Sequence, residues 1–355
     1  ERLQITPSAQ GTLVVESSRF SGSIAEVELR HESTRKRRRF FHRPAGDLLS
    51  AGDRVLLKIL VLFLWLFVTG CGSGTEATLP VSESRYWQLP PVGPSLPAPR
   101  KLTVGPDDSL YVLDDAGRVL VYDAAGKLVR RWNMPESEVG NPEAVLVLRD
   151  GRVAVADTHY HRVIFFDASG QVLGMTGSRG NEPGQFIYPV ALAEDDEHNL
   201  YVCEYGGNDR VQKFSADGTF LLAFGSQGVE DGQFQRPSGI IWHDDRIYVA
   251  DAFNNRIQSF DEEGGFQQVL GGEAPLRYPY DMSLDPERNL MIVEYDAGRV
   301  TCVDLQGRLR GRFGSSGRGD RQFWTPWGVG VDSRGDVFVA DTGNRRIVAL
   351  ELSRP

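Results

Sequence analysis

Six acidic residues recur along this chain, each ending a short apolar run and each followed four to six residues later by an arginine. The acids are Asp114, Asp157, Glu204, Asp251, Glu294 and Asp341, and the arginines are Arg118, Arg162, Arg210, Arg256, Arg299 and Arg346. A carboxylate beside a turn accepts backbone N–H bonds, and a guanidinium can bridge it to the next strand. Because the pair is repeated in every unit, we expect it to hold structure rather than to carry out catalysis.

Residues that depart from the repeat are better candidates for a binding site. Two residues follow the opening proline of each unit, and the second of them is usually small. Lys101 and Asp281 are the exceptions. The predicted ligand-binding set is Arg100, Lys101, Glu143, Tyr205, Tyr280, Asp281, Tyr295 and Trp327. Aromatic and charged side chains together suit a peptide or a small polar ligand. A solvated surface without a dedicated ligand is the alternative interpretation.

The spacing of the repeated acids indicates which elements position these residues. The acids are 43 or 47 residues apart, and a period in the forties with several short strands per unit is typical of a propeller blade. We predict an all-β, six-bladed β-propeller of four-stranded blades over residues 84–355. The last unit has only three strands, so the segment Tyr86–Leu89 is expected to add the fourth and close the ring, which removes exposed strand edges.

Short motifs give this prediction a family. Residues 341–347 read Asp-Thr-Gly-Asn-Arg-Arg-Ile, Gly-Gln-Phe-x-x-Pro occurs at 184–189 and 232–237, and Ser-Gly-Ile occurs at 238–240. These motifs resemble the NHL-repeat family of six-bladed β-propellers. The phenylalanines of the second motif, Phe186 and Phe234, are expected to wedge between neighbouring blades, as is Phe323 of the related segment Arg-Gln-Phe-x-x-Pro at 321–326. The resemblance is specific for fold and says little about function, since propellers host many unrelated sites.

The resemblance also implies an enzymatic alternative. Some propellers of this type are lyases that act on α-hydroxyglycine peptides with zinc held by three histidines, but His159, His161, His198 and His243 form no evident triad. Lactonase-like propellers hold calcium with channel carboxylates, to which Glu143 and Asp281 could contribute. We therefore predict no cofactor, with zinc or calcium belonging to the enzyme alternative.

The front of the chain differs from the repeats. Residues 1–54, which begin with Glu1 and include the basic run 35–39, are expected to be an over-translated or disordered leader. Residues 55–71 contain the apolar run 59–68 and end at Val-Thr-Gly-Cys, which resembles a bacterial lipoprotein signal with its lipobox. Cys71 is accordingly predicted to carry a lipid, and residues 72–83 to form a flexible tether.

Together these observations predict an exported bacterial lipoprotein on the extracytoplasmic side of the cell envelope. Its propeller, a monomer, would recognise a protein or peptide partner or another ligand at one channel mouth without catalysis. A metal-dependent envelope enzyme and a structural scaffold remain the alternatives. The net charge of -9 argues against nucleic acid as a partner. Cys203 and Cys302 are expected to be packing residues without a disulfide between them.

Overall fold

The computed structural model describes residues 77–270 and 275–353, together with four strands near the start of the chain. It divides the chain into two compact units, Glu1–Gly74 and Thr75–Pro355. The first unit contains one antiparallel sheet in the order β1 (Gln4–Ile5), β2 (Leu13–Ser21), β3 (Ile24–His31) and β4 (Arg37–His42). These strands fall within the predicted leader. The predicted signal segment 55–71 with Cys71, and tether residues 72–76, lie outside the described residues.

The second unit consists of six four-stranded antiparallel sheets, which are the six predicted blades. The innermost strands, which contact one another in a closed ring, are β6 (Pro99–Val104), β10 (Ala144–Val147), β14 (Tyr188–Glu194), β18 (Pro237–His243), β22 (Pro279–Leu284) and β26 (Gly328–Val331). The second strands are β7 (Leu110–Asp114), β11 (Val153–Asp157), β15 (Leu200–Tyr205), β19 (Arg246–Asp251), β23 (Asn289–Glu294) and β27 (Val337–Asp341).

The two outer layers complete each blade. The third strands are β8 (Arg118–Tyr122), β12 (Arg162–Phe166), β16 (Arg210–Phe214), β20 (Arg256–Asp261), β24 (Arg299–Asp304) and β28 (Arg346–Leu352). The outermost strands are β9 (Leu128–Asn133), β13 (Val172–Thr176), β17 (Phe220–Phe224), β21 (Phe266–Leu270), β25 (Leu309–Phe313) and, in blade six, β5 (Val81–Trp87). Three single 3-10 turns are Thr158–Tyr160, Ala252–Asn254 and Thr342–Asn344. Among the described residues no helix has the length and apolar character needed to cross a bilayer.

The ring closes as predicted, by an N-terminal strand in the last blade. Strand β5 pairs antiparallel with β28, and Trp87 lies opposite Ile347. The closing strand is Val81–Trp87 and not Tyr86–Leu89, so it begins before the predicted boundary at residue 84 and ends two residues earlier than expected. Leu89 follows the strand and is buried against blade one.

The cores lie between blades, where the predicted phenylalanine wedges are found. Phe186, Phe234 and Phe323 are at most 1% exposed, and each packs with residues of the blades on both sides. Burying such a ring contributes roughly 1.5–3 kcal/mol. Gly225 shows how closely these rings pack, because a Cβ there would lie 2.3 Å from the Phe234 ring and its φ is +85°.

The repeated acids have the structural role that their recurrence predicted. All six are fully buried, and each forms an ion pair with the arginine that follows it. Asp251 accepts hydrogen bonds from the Gln235 backbone N–H at 2.7 Å, the Asn254 amide at 2.8 Å and the Arg256 Nε at 2.8 Å. The pair therefore ties the turn after the second strand to the loop that enters the blade.

The two described cysteines are free and buried, in β15 and β24. Burial raises the pKa of the Cys302 thiol to about 12, and it raises that of Cys203 as well. Both are therefore thiols at neutral pH and pack as small apolar side chains.

Candidate functional site

The predicted site residues share one end of the propeller. The first and second strands of a blade are antiparallel, so the start of one lies beside the end of the other. In blade five Pro279 is paired with Glu294, which brings Tyr280 and Asp281 to the same end as Tyr295. We call this end the mouth, and the opposite end, with the turns between first and second strands, the hairpin end.

Glu143 is the centre of a polar network across the mouth. One carboxylate oxygen accepts a hydrogen bond from the Arg100 guanidinium at 3.1 Å. The other accepts the Tyr280 hydroxyl at 3.4 Å and lies 3.8 Å from the Arg236 guanidinium. Burial, reinforced by the nearby Glu143 charge, raises the pKa of Tyr280 well above its ordinary value, so its hydroxyl stays a donor. The Glu143 side chain is only 6% exposed. A ligand at the mouth would therefore contact Arg100 and Arg236 rather than Glu143 itself.

The two arginines of this network stack on aromatic rings. The Arg100 guanidinium lies 4.4 Å from the centre of the Trp327 ring, and that of Arg236 lies 4.2 Å from the centre of the Tyr205 ring. The Nε atoms of both arginines are buried and have no hydrogen-bond partner among the described residues. Stacking fixes the guanidinium planes while part of each side chain, 16% for Arg100 and 21% for Arg236, stays open to solvent.

Lys101 and Asp281 form a second, deeper pair. The ammonium of Lys101 lies 2.5 Å from Asp281 Oδ1, and both side chains are under 10% exposed. The other Asp281 oxygen accepts the Val329 backbone N–H at 3.0 Å. Burial raises the pKa of Asp281, and the Lys101 charge opposes that rise. The pair therefore ties blades one and five across the inner strand of blade six.

The small residues at the equivalent positions make room for this pair. A Cβ on Gly239 would lie 3.1 Å from the Asp281 Cα, and one on Gly328 would lie 3.1 Å from the Lys101 Cα. Lys101 and Asp281 thus stood out in the sequence for a packing reason, and both are buried, as are Glu143 and Tyr280 of the predicted set.

Aromatic rings form an arc along the rest of the rim. Tyr280 lies 5.1 Å from Trp327 and 6.0 Å from Tyr295, measured between ring centres. Tyr278 lies 5.1 Å from Tyr295. In blade three Tyr188 lies 5.2 Å from Tyr205. With the exception of buried Tyr280, these rings are partly exposed, so the arc offers flat apolar faces beside the two arginines.

Sequence reasoning missed three residues of this rim: Tyr188, Arg236 and Tyr278. Each immediately precedes the opening proline of its blade, whereas the predicted residues follow either that proline or the repeated acid. Arg236 and Tyr278 have φ values of +58° and +55°, an uncommon conformation for residues with a side chain. Large side chains before the proline were the signal that could have found them.

The four histidines considered for a zinc site do not lie together. His159 and His161 both lie near Tyr188 at the mouth, at 5.8 Å between ring centres. His198 pairs with Glu194 at 3.0 Å and His243 with Asp244 at 3.4 Å, both at the hairpin end. Among residues 77–270 and 275–353, one group of three side chains is close enough together to hold a metal ion. It consists of Asp195, Glu197 and Glu262, also at the hairpin end. Glu143 and Asp281 are each already paired with a cation.

Comparisons with known proteins agree with the fold. The NHL repeat family model matches residues 323–350. Human NHL repeat-containing protein 3 is 30% identical over 164 residues, which are 43% of this chain and 47% of that protein. Protein brain tumor of Drosophila melanogaster is 26% identical over 185 residues, 52% of this chain and 13% of that protein. The chain thus spans about half of the first relative and a small part of the second.

Solved structures show the same architecture. A streptogramin B lyase aligns with a TM-score of 0.56 and 15% identity, covering 76% of this chain and 98% of that one. Virginiamycin B lyase from Staphylococcus aureus aligns with a TM-score of 0.56 and 14% identity, covering 76% and 100%. At this level of identity the likeness concerns the fold alone. The chain is a six-bladed β-propeller that carries an NHL repeat.

Proposed function

We propose that this chain is an exported, lipid-anchored propeller that recognises a segment of a protein partner at the mouth. The observation that supports this most is the pair of stacked arginines, Arg100 on Trp327 and Arg236 on Tyr205, on either side of Glu143. Tryptophan, tyrosine and arginine are the residues that most often dominate the energy of protein interfaces.

The mouth suits an extended segment lying across it better than a small molecule lying within it. Lys101, Asp281, Glu143 and Tyr280 are buried, so they offer a partner little accessible surface. What is left to a partner is a surface of ring faces and guanidinium edges. Ring faces bind apolar side chains, and the exposed guanidinium edges bind backbone carbonyls or carboxylates.

The test is capture of a partner from envelope extracts by the full chain, followed by affinity measurement with the partner identified. The double variant Arg100→Ala/Trp327→Ala removes one stacked pair from the mouth. Its matched control is Arg149→Ala/Trp242→Ala, because Arg149 lies 5.7 Å from the Trp242 ring at the hairpin end. We expect the mouth variant to weaken binding by at least about tenfold, equivalent to about 1.4 kcal/mol, and the control to bind like the wild type. Equal effects of both variants would refute binding at the mouth.

A further inference from the structure

The chain segment before the closing strand is fastened to the outer edge of blade five. The Leu79 backbone N–H donates to the Arg312 carbonyl at 2.9 Å, and the Arg312 N–H donates to the Ala77 carbonyl at 2.9 Å. Thr78 thereby forms a parallel bridge with Arg312. Gly311 permits this approach, because a Cβ there would lie 2.8 Å from the Leu79 nitrogen. The segment that leads back toward Cys71 therefore leaves the propeller at a defined place.

The spacing from Cys71 to this place is short. Five residues, 72–76, separate Cys71 from Ala77, and the six steps from one residue to the next reach at most about 20 Å in a fully extended chain. If Cys71 carries the lipid, as proposed above, the outer edge of blade five must lie within that reach of the bilayer. Whatever surface surrounds this edge is then held close to phospholipid headgroups.

The neighbouring loop between blades five and six differs in charge from its counterparts. The three loops at 177–186, 225–234 and 314–323 share one fold, since each forms the same parallel bridge to its buried phenylalanine. The loop at 177–186 carries one cation, Arg179, and one acid, Glu182, and the loop at 225–234 carries Glu230 and Asp231 and no cation. The loop at 314–323 carries Arg318 and Arg321 with the single acid Asp320. This excess of positive charge stands out on a chain whose net charge is -9.

Arg321 occupies a position that the fold reserves for glycine. Its φ is +54°, and the equivalent residues Gly184 and Gly232 have φ values of +81° and +80°. An L-residue pays a conformational cost in this region that glycine does not. Arg321 also lines one groove together with Ala77 and Leu79, so the costly arginine lies beside the fastened segment.

An exposed tryptophan follows the same loop. Trp324 is 40% exposed, where the sister loops have Ile187 and Gln235. The Arg318 guanidinium lies 5.6 Å from the centre of its ring. Tryptophan is enriched at the membrane–water interface, and arginine near a surface is attracted to anionic lipids.

We propose that this loop, through Arg318, Arg321 and Trp324, binds the anionic phospholipid headgroups of the membrane that holds the anchor. The inference rests on the lipid anchor of the proposed function and is independent of what the mouth binds. It places the propeller with the junction of blades five and six against the bilayer.

The test uses the full chain reconstituted into vesicles of phosphatidylcholine with brominated acyl chains, with or without phosphatidylglycerol. Bromine quenches tryptophan fluorescence at short range, and subtracting the Trp324→Gln variant isolates the signal of Trp324. We expect Trp324 to be quenched when phosphatidylglycerol is present. The double variant Arg318→Val/Arg321→Gly, which restores residues of the sister loop, should lose that quenching and remain folded. Glu230→Gln in the sister loop should leave it unchanged.

Three results would overturn the inference. One is a Trp324 that is not quenched while the chain remains on the vesicles, and another is quenching that does not depend on phosphatidylglycerol or on the two arginines. In either case the anchor and the mouth keep their proposed roles. The third is a chain that does not associate with vesicles at all, which contradicts the anchor itself. Loss of partner capture by the mouth variant has no bearing on this test.

Discussion

Glu143 of blade two and Tyr280 of blade five meet across the channel, with the Tyr280 hydroxyl 3.4 Å from a carboxylate oxygen of Glu143. Blades two and five are opposite each other in a ring of six, so this contact spans the mouth. The same carboxylate faces both Arg100 and Arg236. One buried acid thus sets the positions of the two guanidiniums that we expect a partner to contact.

Removing the Tyr280 hydroxyl tests this cross-channel contact. We expect Tyr280→Phe to lower the free energy of unfolding by about 1 kcal/mol, because a buried hydrogen bond to a carboxylate is lost. Urea unfolding followed by fluorescence measures it. Tyr86→Phe is the control, since Tyr86 is 63% exposed. An unchanged midpoint for Tyr280→Phe would mean that the contact contributes nothing to stability.

The buried pair of Lys101 and Asp281 predicts a non-additive result. Lys101→Met leaves an unpaired buried carboxylate and should cost about 3–5 kcal/mol, whereas Lys101→Met/Asp281→Leu should recover much of that loss. A double-mutant cycle of unfolding free energies measures the coupling. Additive losses would show that the two groups do not stabilise each other.

The closing strand predicts a sensitivity to proline. Arg85 pairs with Ala349 on the neighbouring strand β28, and its side chain is exposed. Arg85→Pro should destabilise the propeller by about 3 kcal/mol, because proline lacks the N–H that a strand residue donates to its neighbour. Arg85→Val keeps the strand and should leave the thermal midpoint nearly unchanged. If both variants unfold at the wild-type temperature, closure by β5 is not needed for stability.

The lowered pKa of Asp304 leads us to expect that stability depends on pH. Burial alone would raise its pKa, but hydrogen bonds from the Arg308 backbone and guanidinium hold the pKa of Asp304 below its ordinary value. A lowered folded-state pKa contributes stability above the unfolded value, about 3.9, and this contribution is lost as pH falls through the folded pKa. The stability difference between wild type and Asp304→Asn should therefore be largest at neutral pH and shrink in acid. A difference that grows on acidification would contradict this sign.

The sequence was sufficient to predict the ring of six blades and the end of the propeller at which the predicted site residues lie. A regular acid and arginine spacing identifies six blades, because each repeat must bury its faces against its neighbours. The missing strand of the last unit predicts closure at Trp87 and Ile347, and the structure confirms that pairing. The eight predicted residues lie at one end because strand direction alone determines which ends share a face.

Other features of the site depend on three-dimensional geometry. Arg236 and Tyr278 reach the rim because a positive φ before the blade-opening proline directs their side chains. The type of a residue does not determine its backbone conformation. The Glu143–Tyr280 contact depends on the diameter of the ring, which no local pattern reports. The attachment of Ala77–Leu79 to blade five was also missed, since residues 72–83 have the small and polar composition of a tether.

Site-specific photo-crosslinking in producing cells tests recognition at the mouth most directly. A photoreactive residue replaces Trp327 at the mouth in one full-length variant and Trp242 at the hairpin end in another. We predict that position 327 captures one discrete partner protein, that this adduct disappears when Arg236 is also changed to alanine, and that position 242 captures none. Identical adducts at both positions, or none at position 327 in a folded and exported chain, would contradict recognition at the mouth.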